Sequence, residues 1–566
     1  MLLSTRRRAL VAGALALLFV IPLPVLSETK IAEPLSMQVA KRGDEKVTQT
    51  IETDHFSVTF SEQGARILEF KNKDKAYPRR DGANIVIPGT EIFLAPYLGA
   101  TGTAQYVGGN LGAMMYAAFS FSKEETQDTV KIKASAPVVL VADKNKIDAT
   151  FIKEFVFLKR SPYFKFSVEI QSNSSVKLQN LMLYALPMIG PKPENQGNFR
   201  DYHHYTDQGK VEFAYAGGGG GFGCGGSTTS EKISKGPTDF FGSSSRFLIL
   251  NMQPLFATRS ASITPEQRNA DTKQLLQAQA LHVNMGDIIV EKSKPARFEF
   301  IGYMGPKFDE NTFPNDDARK VMPDLGKFNK NYFSKSFDFG ITEPIRDIIV
   351  SALTLLYKLI PNYGVGIILI ALLLKLAFFP LNQKQAEAMK RMGELQPKIK
   401  ELNEKYKNNP QEKQRRMMEL YKVHKVNPVS GCLPMLIQLP VFIAMYSAFS
   451  DAYDLWKSPF IPGWIPDLSQ PDHVFSLPAT WPYVGGFAVH LLPVVMTLSQ
   501  YFQTKLTPTS GDENQRKIML LMPFMMLFLF YAMPSGVVLY WTVQNALSIA
   551  QQVYTNKKNA KAAVKA

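Results

Sequence analysis

The stretch GIILIALLLKLAFFPL, residues 366–381, decides how the rest of the chain is read, because it places one lysine, Lys375, inside an otherwise apolar run. With the residues just before it, such a run is long enough to cross a bilayer. A lysine in mid-span costs about 2.5–3.5 kcal/mol on insertion scales, so it needs a destination. Snorkelling is the plain one: Pro380 lies about 7.5 Å further along a helix, nearly within reach of a lysine stem. Helical Cα–Cβ bonds tilt toward the N-terminus, however. In a span running from outside to inside, the side chain then leans away from the cytosol. The favoured destination is therefore a protein-lined, water-containing groove.

Further apolar segments at 432–449, 484–502, 518–533 and 537–554 make five candidate spans with 363–381. Little more than Pro534, Ser535 and Gly536 separates the last two, so they form an antiparallel pair. The 518–533 segment is short for a span and implies a locally thinned bilayer. A groove needs polar faces, and these segments supply candidates. Trp541, Gln544, Asn545, Ser548 and Gln552 recur at helical spacing, as do Thr497, Gln500 and Thr504, and Gln438 lies inside 432–449. Each taken singly reads as an ordinary interhelical hydrogen bond, worth about 0.6 kcal/mol. Taken together, beside a lysine for which no span offers an Asp or Glu, they read as a wet stripe. Such a cation attracts anionic groups of a passing polypeptide. The methionine-rich run IMLLMPFMMLFLFYAM, from Ile518 to Met533, suits varied apolar partners, although lipid-facing methionines explain it equally well.

Charge orients the spans. The formal net charge is +15 over 566 residues, which points to nucleic acid or a membrane surface. Its distribution is more telling. Residues 382–428 carry twelve Lys and Arg, whereas 450–483 carry Lys457 alone against Asp451, Asp454, Asp467 and Asp472. The first segment is expected inside and the second outside. Arg6, Arg7 and Arg8 followed by apolar residues 9–26 read as an export signal, whose length favours an uncleaved anchor over a cleaved one. The expected organisation is an anchor at 1–27, an exported domain at 28–332, an interfacial helix at 333–362, a membrane core at 363–554 with a cytosolic hairpin at 382–428, and a basic tail at 555–566.

The exported part alternates with period two in HFSVTF, FIKEFVFL, YFKFSVEI and RFEFIGY between Gly, Pro, Asn and Asp clusters, which predicts an all-β sandwich. Gly221, Gly223 and Gly226 match the GxGxxG spacing, but no apolar helix follows, so a flexible loop is expected. In residues 343–362, Ile345, Ile348, Ile349, Ala352, Leu353 and Leu356 share a helical face, with Arg346, Asp347, Thr354 and Lys358 elsewhere. This helix is expected along the membrane surface. Ala388, Met392, Leu395, Ile399, Leu402 and Tyr406 form a helical seam, and Met417, Leu420 and His424 continue it after a break at Pro410. The result is a basic αα-hairpin, either a solvated face or a surface for anionic lipid, RNA or an acidic protein. Cys224 and Cys432 fall on opposite sides, which excludes a disulfide framework or a cysteine metal site. His55, His203 and His204 stand in no metal or paired-carboxylate spacing, so the chain is not expected to be an enzyme. A transporter or channel with a buried lysine site is the competing reading, but the sequence shows no internal repeat.

The stretches FFPLNQKQAEAMKRMGELQPKIKELNEKY, YKVHKVNPVSGCLPMLIQLPVFIAMY, KIMLLMPFMMLFLF and MPSGVVLYWTVQNALSIAQQ together resemble the YidC/Oxa1/Alb3 family of membrane protein insertases. The resemblance covers residues 363–554, and the exported domain matches in architecture. It implies a membrane α-helical bundle of five helices plus an N-terminal span, with an exported β-supersandwich and a cytosolic helical hairpin. It also implies insertion of nascent membrane proteins into the bacterial inner membrane, alone or with the Sec translocon, without a cofactor. Its substrate groove would fall on Lys375, Gln438, Gln500, Tyr540, Trp541, Gln544 and Asn545, with Lys375 where most relatives carry arginine. Lysine keeps the charge and loses the planar fork. The hairpin, at Met392, Leu395, Pro397 and Tyr406, would receive clients, with the ribosome, a targeting receptor and anionic lipids as further partners and no DNA.

Overall fold

The computed structural model describes residues 36–565 except 40, 45, 74–82, 85–91, 93, 99–113, 143–144, 188–201, 216–231, 268–276, 308–313, 337–342, 381–382, 384–386, 388–390, 392, 425–432, 478–487 and 507–512. The expected anchor at 1–27, the glycines Gly221, Gly223 and Gly226, and both cysteines lie outside the described residues.

From Ser36 to Pro306 the described elements are almost all strands, as the period-two pattern predicts, and the pairs between them are antiparallel. A ten-stranded sheet runs in the order Ser36–Val39, Thr129–Ala142, Asn145–Leu158, Tyr163–Ser172, Ala296–Pro306, Leu248–Pro254, Phe241–Ser244, Tyr202–Asp207 and Lys210–Tyr215, with Ser120–Glu125 also pairing Thr129–Ala142. A five-stranded sheet holds Lys232–Ile233, Ser260–Gln267, Gln277–Val290, Val176–Pro187 and Ala95–Leu98. Four short strands between Thr48–Glu52 and Ala83–Asn84 form a third sheet.

Alternation sends Phe151, Phe155 and Phe157 of one strand and Phe166, Val168 and Ile170 of its neighbour into one buried cluster with Phe56, Phe60 and Phe70. Their rings meet closely: Phe60 lies 5.0 Å from Phe155, and Phe155 lies 4.8 Å from Phe166. The same alternation puts Lys153 on this apolar face. It is fully buried, and its Nζ donates to the Gly64 carbonyl at 2.7 Å. Gly64 has φ +70°, and a Cβ there would stand 2.4 Å from the Met115 carbonyl oxygen, so glycine is required at that turn.

The far side of the large sheet is covered by α1 (Asp316–Val321), a 3-10 turn (Pro323–Lys327) and α2 (Lys330–Lys335), which seat Met322, Leu325, Phe328 and Phe333 on Tyr163, Phe240, Ile249, Ile301 and Tyr303. Asn315 and Asn329 cap the two helices through their side-chain oxygens.

The rest is helical: α3 (Glu343–Leu359), α4 (Tyr363–Ala377), α5 (Gln396–Lys405), α6 (Pro410–Val423), α7 (Leu433–Asp451), α8 (Leu491–Leu506), α9 (Glu513–Phe530) and α10 (Ser535–Lys565). α10 is central, packing on α4, α7 and α8, while α9 packs on α8 and α3 packs on α4 and α7. Ile367, Ala371, Met445, Phe449, Met496, Val537 and Tyr540 form the core between them.

Among the described residues no helix is both long and apolar enough to cross a membrane. α4 has 15 residues, α7 carries Pro440, α9 starts on a charged segment, and α10 mixes Gln and Asn into its first half and lysines into its last third. α3 also departs from expectation. Ile349 and Leu353 turn inward, but so does Arg346, which is fully buried, with its Nη1 donating to Asp347 Oδ1 at 2.9 Å. Ile348, Leu355 and Leu359 face outward, 70%, 62% and 75% exposed. The helix is clamped by α4 and α7, so packing rather than polarity decides which face is hidden.

Candidate functional site

The site is built on the contact between α4 and α10. Asn362 starts α4, its side-chain oxygen accepting from the Gly364 and Val365 amides. Lys375 stands in the last turn of that helix, where the negative end of the helix dipole suits a cation. It is twelve residues past Tyr363, or about 18 Å along the axis.

Two bonds tie this end of α4 to α10. Lys375 Nζ donates to Ser548 Oγ at 2.7 Å, and Gln544 Nε2 donates to the Ala371 carbonyl at 2.8 Å. The Ser548 hydroxyl proton is committed to the Gln544 carbonyl at 2.8 Å, which leaves its lone pairs for the ammonium. No carboxylate lies within ion-pair distance of Lys375 among the described residues, and the side chain is only half-buried. The cation therefore rests on a neutral hydroxyl, a weaker partner than a carboxylate.

The remaining stripe residues diverge. Asn545 turns to α8, donating to Ser499 Oγ at 3.1 Å and to the Met496 carbonyl at 3.4 Å. Trp541 stacks edge-on against Phe442 at 5.2 Å and lies 5.3 Å from Phe530, on the side of α7 and α9. Tyr540 is buried in the core. On α8 the Gln500 Oε1 atom is buried with no hydrogen-bond partner among the described residues, while Thr497 and Thr504 bond back to their own helix. The side chain of Gln438 lies outside the described residues. Among the described residues, Lys375, Gln544 and Ser548 are thus the ones brought together. Ser548 belonged to the sequence stripe, but its commitment to Lys375 was not legible there, because two helices meet through it.

The hairpin forms as α5 against α6, with Asn409 capping α6 and Pro410 at its first turn. Leu395 and Ile399 are buried, Tyr406 is half-buried, Pro397 is exposed, and Met392 lies outside the described residues. Arg416 pairs with Glu412 and Glu419 at 2.9 and 3.0 Å, so part of the positive face is neutralised within α6. Among the described residues no cluster of His, Cys, Asp or Glu could hold a metal ion. His204 is buried against Asn251, with Nε2 2.6 Å from Oδ1.

A second junction, which sequence reasoning missed, joins the sheet domain to the segment between α7 and α8. Arg246, in the turn between strands Phe241–Ser244 and Leu248–Pro254, donates from Nε to the Ser450 carbonyl at 2.6 Å and from Nη2 to the Ser469 carbonyl at 2.7 Å. The stretch SSSRF reads only as a hairpin turn, and nothing in it signals the distant carbonyls.

Residues 355–562 match the family described as 60Kd inner membrane protein. The membrane protein insertase YidC of Leptospira interrogans is 34% identical over 94% of this chain and 88% of its own length. The YidC of Treponema denticola is 30% identical over 91% of this chain and 87% of its own. Among solved structures, the active YidC insertase with its first transmembrane domain resolved spans 93% of this chain and 95% of its own at 18% identity, with a TM-score of 0.38. Both relatives are named insertases rather than enzymes, in agreement with the absence of catalytic spacing in the sequence. Identity of this extent over nearly the whole of both chains settles membership: the chain belongs to the YidC family of membrane protein insertases.

Proposed function

We propose that the chain inserts polypeptides into the bacterial inner membrane, with α4, α7, α8, α9 and α10 as its five-helix membrane core. Lys375 is the charge that an acidic segment of the client meets. The observation that carries this reading is the partner of Lys375: a neutral hydroxyl of Ser548, 2.7 Å away, and no carboxylate among the described residues. A client carboxylate competes favourably for such an ammonium, since ion-assisted hydrogen bonds are about twice as strong as neutral ones.

α4 and α8 are short for a bilayer about 30 Å thick, spanning about 22 and 24 Å, and a locally thinned membrane accommodates them. The contact of Arg246 with Ser450 and Ser469 supports the expected topology, because it holds the sheet domain and the acidic segment on one side. The basic hairpin then faces the cytosol, where it receives clients. Work beside the Sec translocon, contact with the ribosome or a targeting receptor, and binding of anionic lipid rest on the family resemblance.

The test uses proteoliposomes and two clients that differ only in whether their translocated segment carries Asp and Glu or Asn and Gln. A hydrogen bond to a charged group is worth about 1.5–3 kcal/mol, so Lys375→Gln should lower insertion of the acidic client about 10- to 150-fold and leave the neutral one unchanged. Equal rates for both clients in the variant and the parent would defeat the reading.

A further inference from the structure

The junction at Arg246 reaches further than a surface contact. Arg246 is 5% exposed, and its guanidinium plane lies over the Phe247 ring at 5.0 Å. Phe247 stacks on Trp456 with centroids 4.9 Å apart and planes 13° from parallel. Nearby, Asn72 Nδ2 donates to the Tyr453 hydroxyl at 2.9 Å, and Tyr453 and Trp456 belong to the core of the sheet domain although they follow α7. The side chain of Asp451 lies 3.9 Å from Arg246 Nε. An arginine so deeply buried is held by two backbone carbonyls in a fork geometry that lysine cannot reproduce.

The segment that Arg246 grips, running from the end of α7, in turn holds the starts of α4 and α10. The Ser469 amide and hydroxyl bind Asp467 Oδ1 at 2.8 and 2.7 Å. Next to them, the Ser535 amide donates to the Gln470 carbonyl at 2.7 Å, and the Gly536 amide to the Leu468 carbonyl at 2.9 Å. The Ser535 hydroxyl donates to the Asp467 carbonyl at 2.9 Å. These are first-turn groups of α10, which no intrahelical bond satisfies. At α4, Asn362 Nδ2 donates to the Phe460 carbonyl at 3.3 Å, and Gly364 admits the Phe460 ring where a Cβ would stand 2.1 Å from it.

We propose that Arg246 is a positioning residue. From the sheet domain it fixes segment 450–470, and through that segment it sets the starts of α4 and α10, the two helices that hold Lys375 and Ser548. The sheet domain is thus a brace on the outer ends of the client-binding helices. The anchoring of the helix starts stands on these contacts alone, whereas its effect on insertion rests on the function proposed above.

The experiment is hydrogen exchange of the full chain in nanodiscs, comparing the parent with Arg246→Ala, Arg246→Lys and Tyr453→Phe. In Arg246→Ala, exchange should quicken at least tenfold in 452–470 and 535–538, while Asn145–Leu158 and Tyr163–Ser172 keep the parental rate. Arg246→Lys should restore little of the protection, because it offers no fork. Tyr453→Phe, which leaves every buried carbon in place, should quicken exchange in 452–456 without touching the strands. Unchanged exchange at 535–538 in Arg246→Ala, with the strands intact, would overturn the proposal. If Arg246→Ala does not fold, parental protection at 535–538 in Arg246→Lys overturns it equally. Insertion of the acidic client, measured on the same samples, should fall two- to fivefold in Arg246→Ala. Faster exchange with full insertion would refute the brace while leaving the role of Lys375 standing, and loss through Lys375→Gln alone separates the two.

Discussion

Acidification should unfold the sheet domain through two buried histidines. His204 and His282 are 0% and 1% exposed. Burial presses the His204 imidazolium down to about 3; the Asn251 bond opposes this, and the neighbouring charges of His203 and Lys307 add to it. Burial, with His203, brings His282 to about 4. His282 packs against Tyr184 edge to face at 5.2 Å. Both folded values lie below the unfolded value of about 6.5, so the unfolded chain binds more protons throughout the interval between them. Stability therefore rises with pH in that window. The contribution is complete above about pH 6.5 and is lost as pH falls toward 4 and then 3. Between neutrality and pH 4 each histidine removes roughly 3 kcal/mol, about 6 kcal/mol in all at 1.36 kcal/mol per tenfold change, which is comparable with the whole stability of a typical domain. Urea unfolding of the full chain in detergent at pH 7.5 and 4.5, followed by hydrogen exchange in Tyr202–Asp207 and Gln277–Val290, measures this loss. His204→Gln keeps a donor for Asn251, and His282→Phe keeps a ring against Tyr184. Carboxylates titrate alike in parent and variant, so the double variant should lose several kcal/mol less than the parent. An equal loss in both would refute the argument.

Three further outcomes follow from the geometry. Ser548→Ala frees the ammonium of Lys375 and should hold or modestly raise insertion of an acidic client, whereas Ser548→Asp supplies an internal carboxylate and should lower it about tenfold, as read by protease protection of the client in proteoliposomes. Asp472→Ala removes the acceptor of the Leu491 and Leu492 amides and of Trp464 Nε1, at 2.8, 2.9 and 2.9 Å; it should cost about 1–2 kcal/mol, visible as faster exchange at the start of α8 and a shifted Trp464 emission. Phe60→Ala opens a cavity beside Phe155 and Phe157 and should lower the urea midpoint of the sheet domain by the equivalent of about 3–5 kcal/mol, with no change at α10.

The strands were legible in strings such as FIKEFVFL because a period of two sorts side chains to faces whatever the partner strand is. The break at Asn408, Asn409 and Pro410, the helical seam around Leu395 and the oddity of Lys375 were legible for the same local reason: each is a pattern within a few turns of chain. What holds Lys375 was not. Stripe spacing put Trp541, Gln544, Asn545 and Ser548 together, yet α10 is surrounded by α4, α7 and α8, so neighbouring positions on one helix answer to different partners. Arg346 reads as a polar-face residue of an amphipathic helix and is buried because two helices close over it. Arg246 reads as a turn residue and is instead the bolt between two halves of the molecule. Local periodicity is a property of the chain alone, so the elements and the lysine set within an apolar run could be read without knowing the fold. Which groups satisfy Lys375 and Arg246 depends on residues 173, 204 and 223 positions away being brought within 3 Å, a matter of packing that no local pattern encodes.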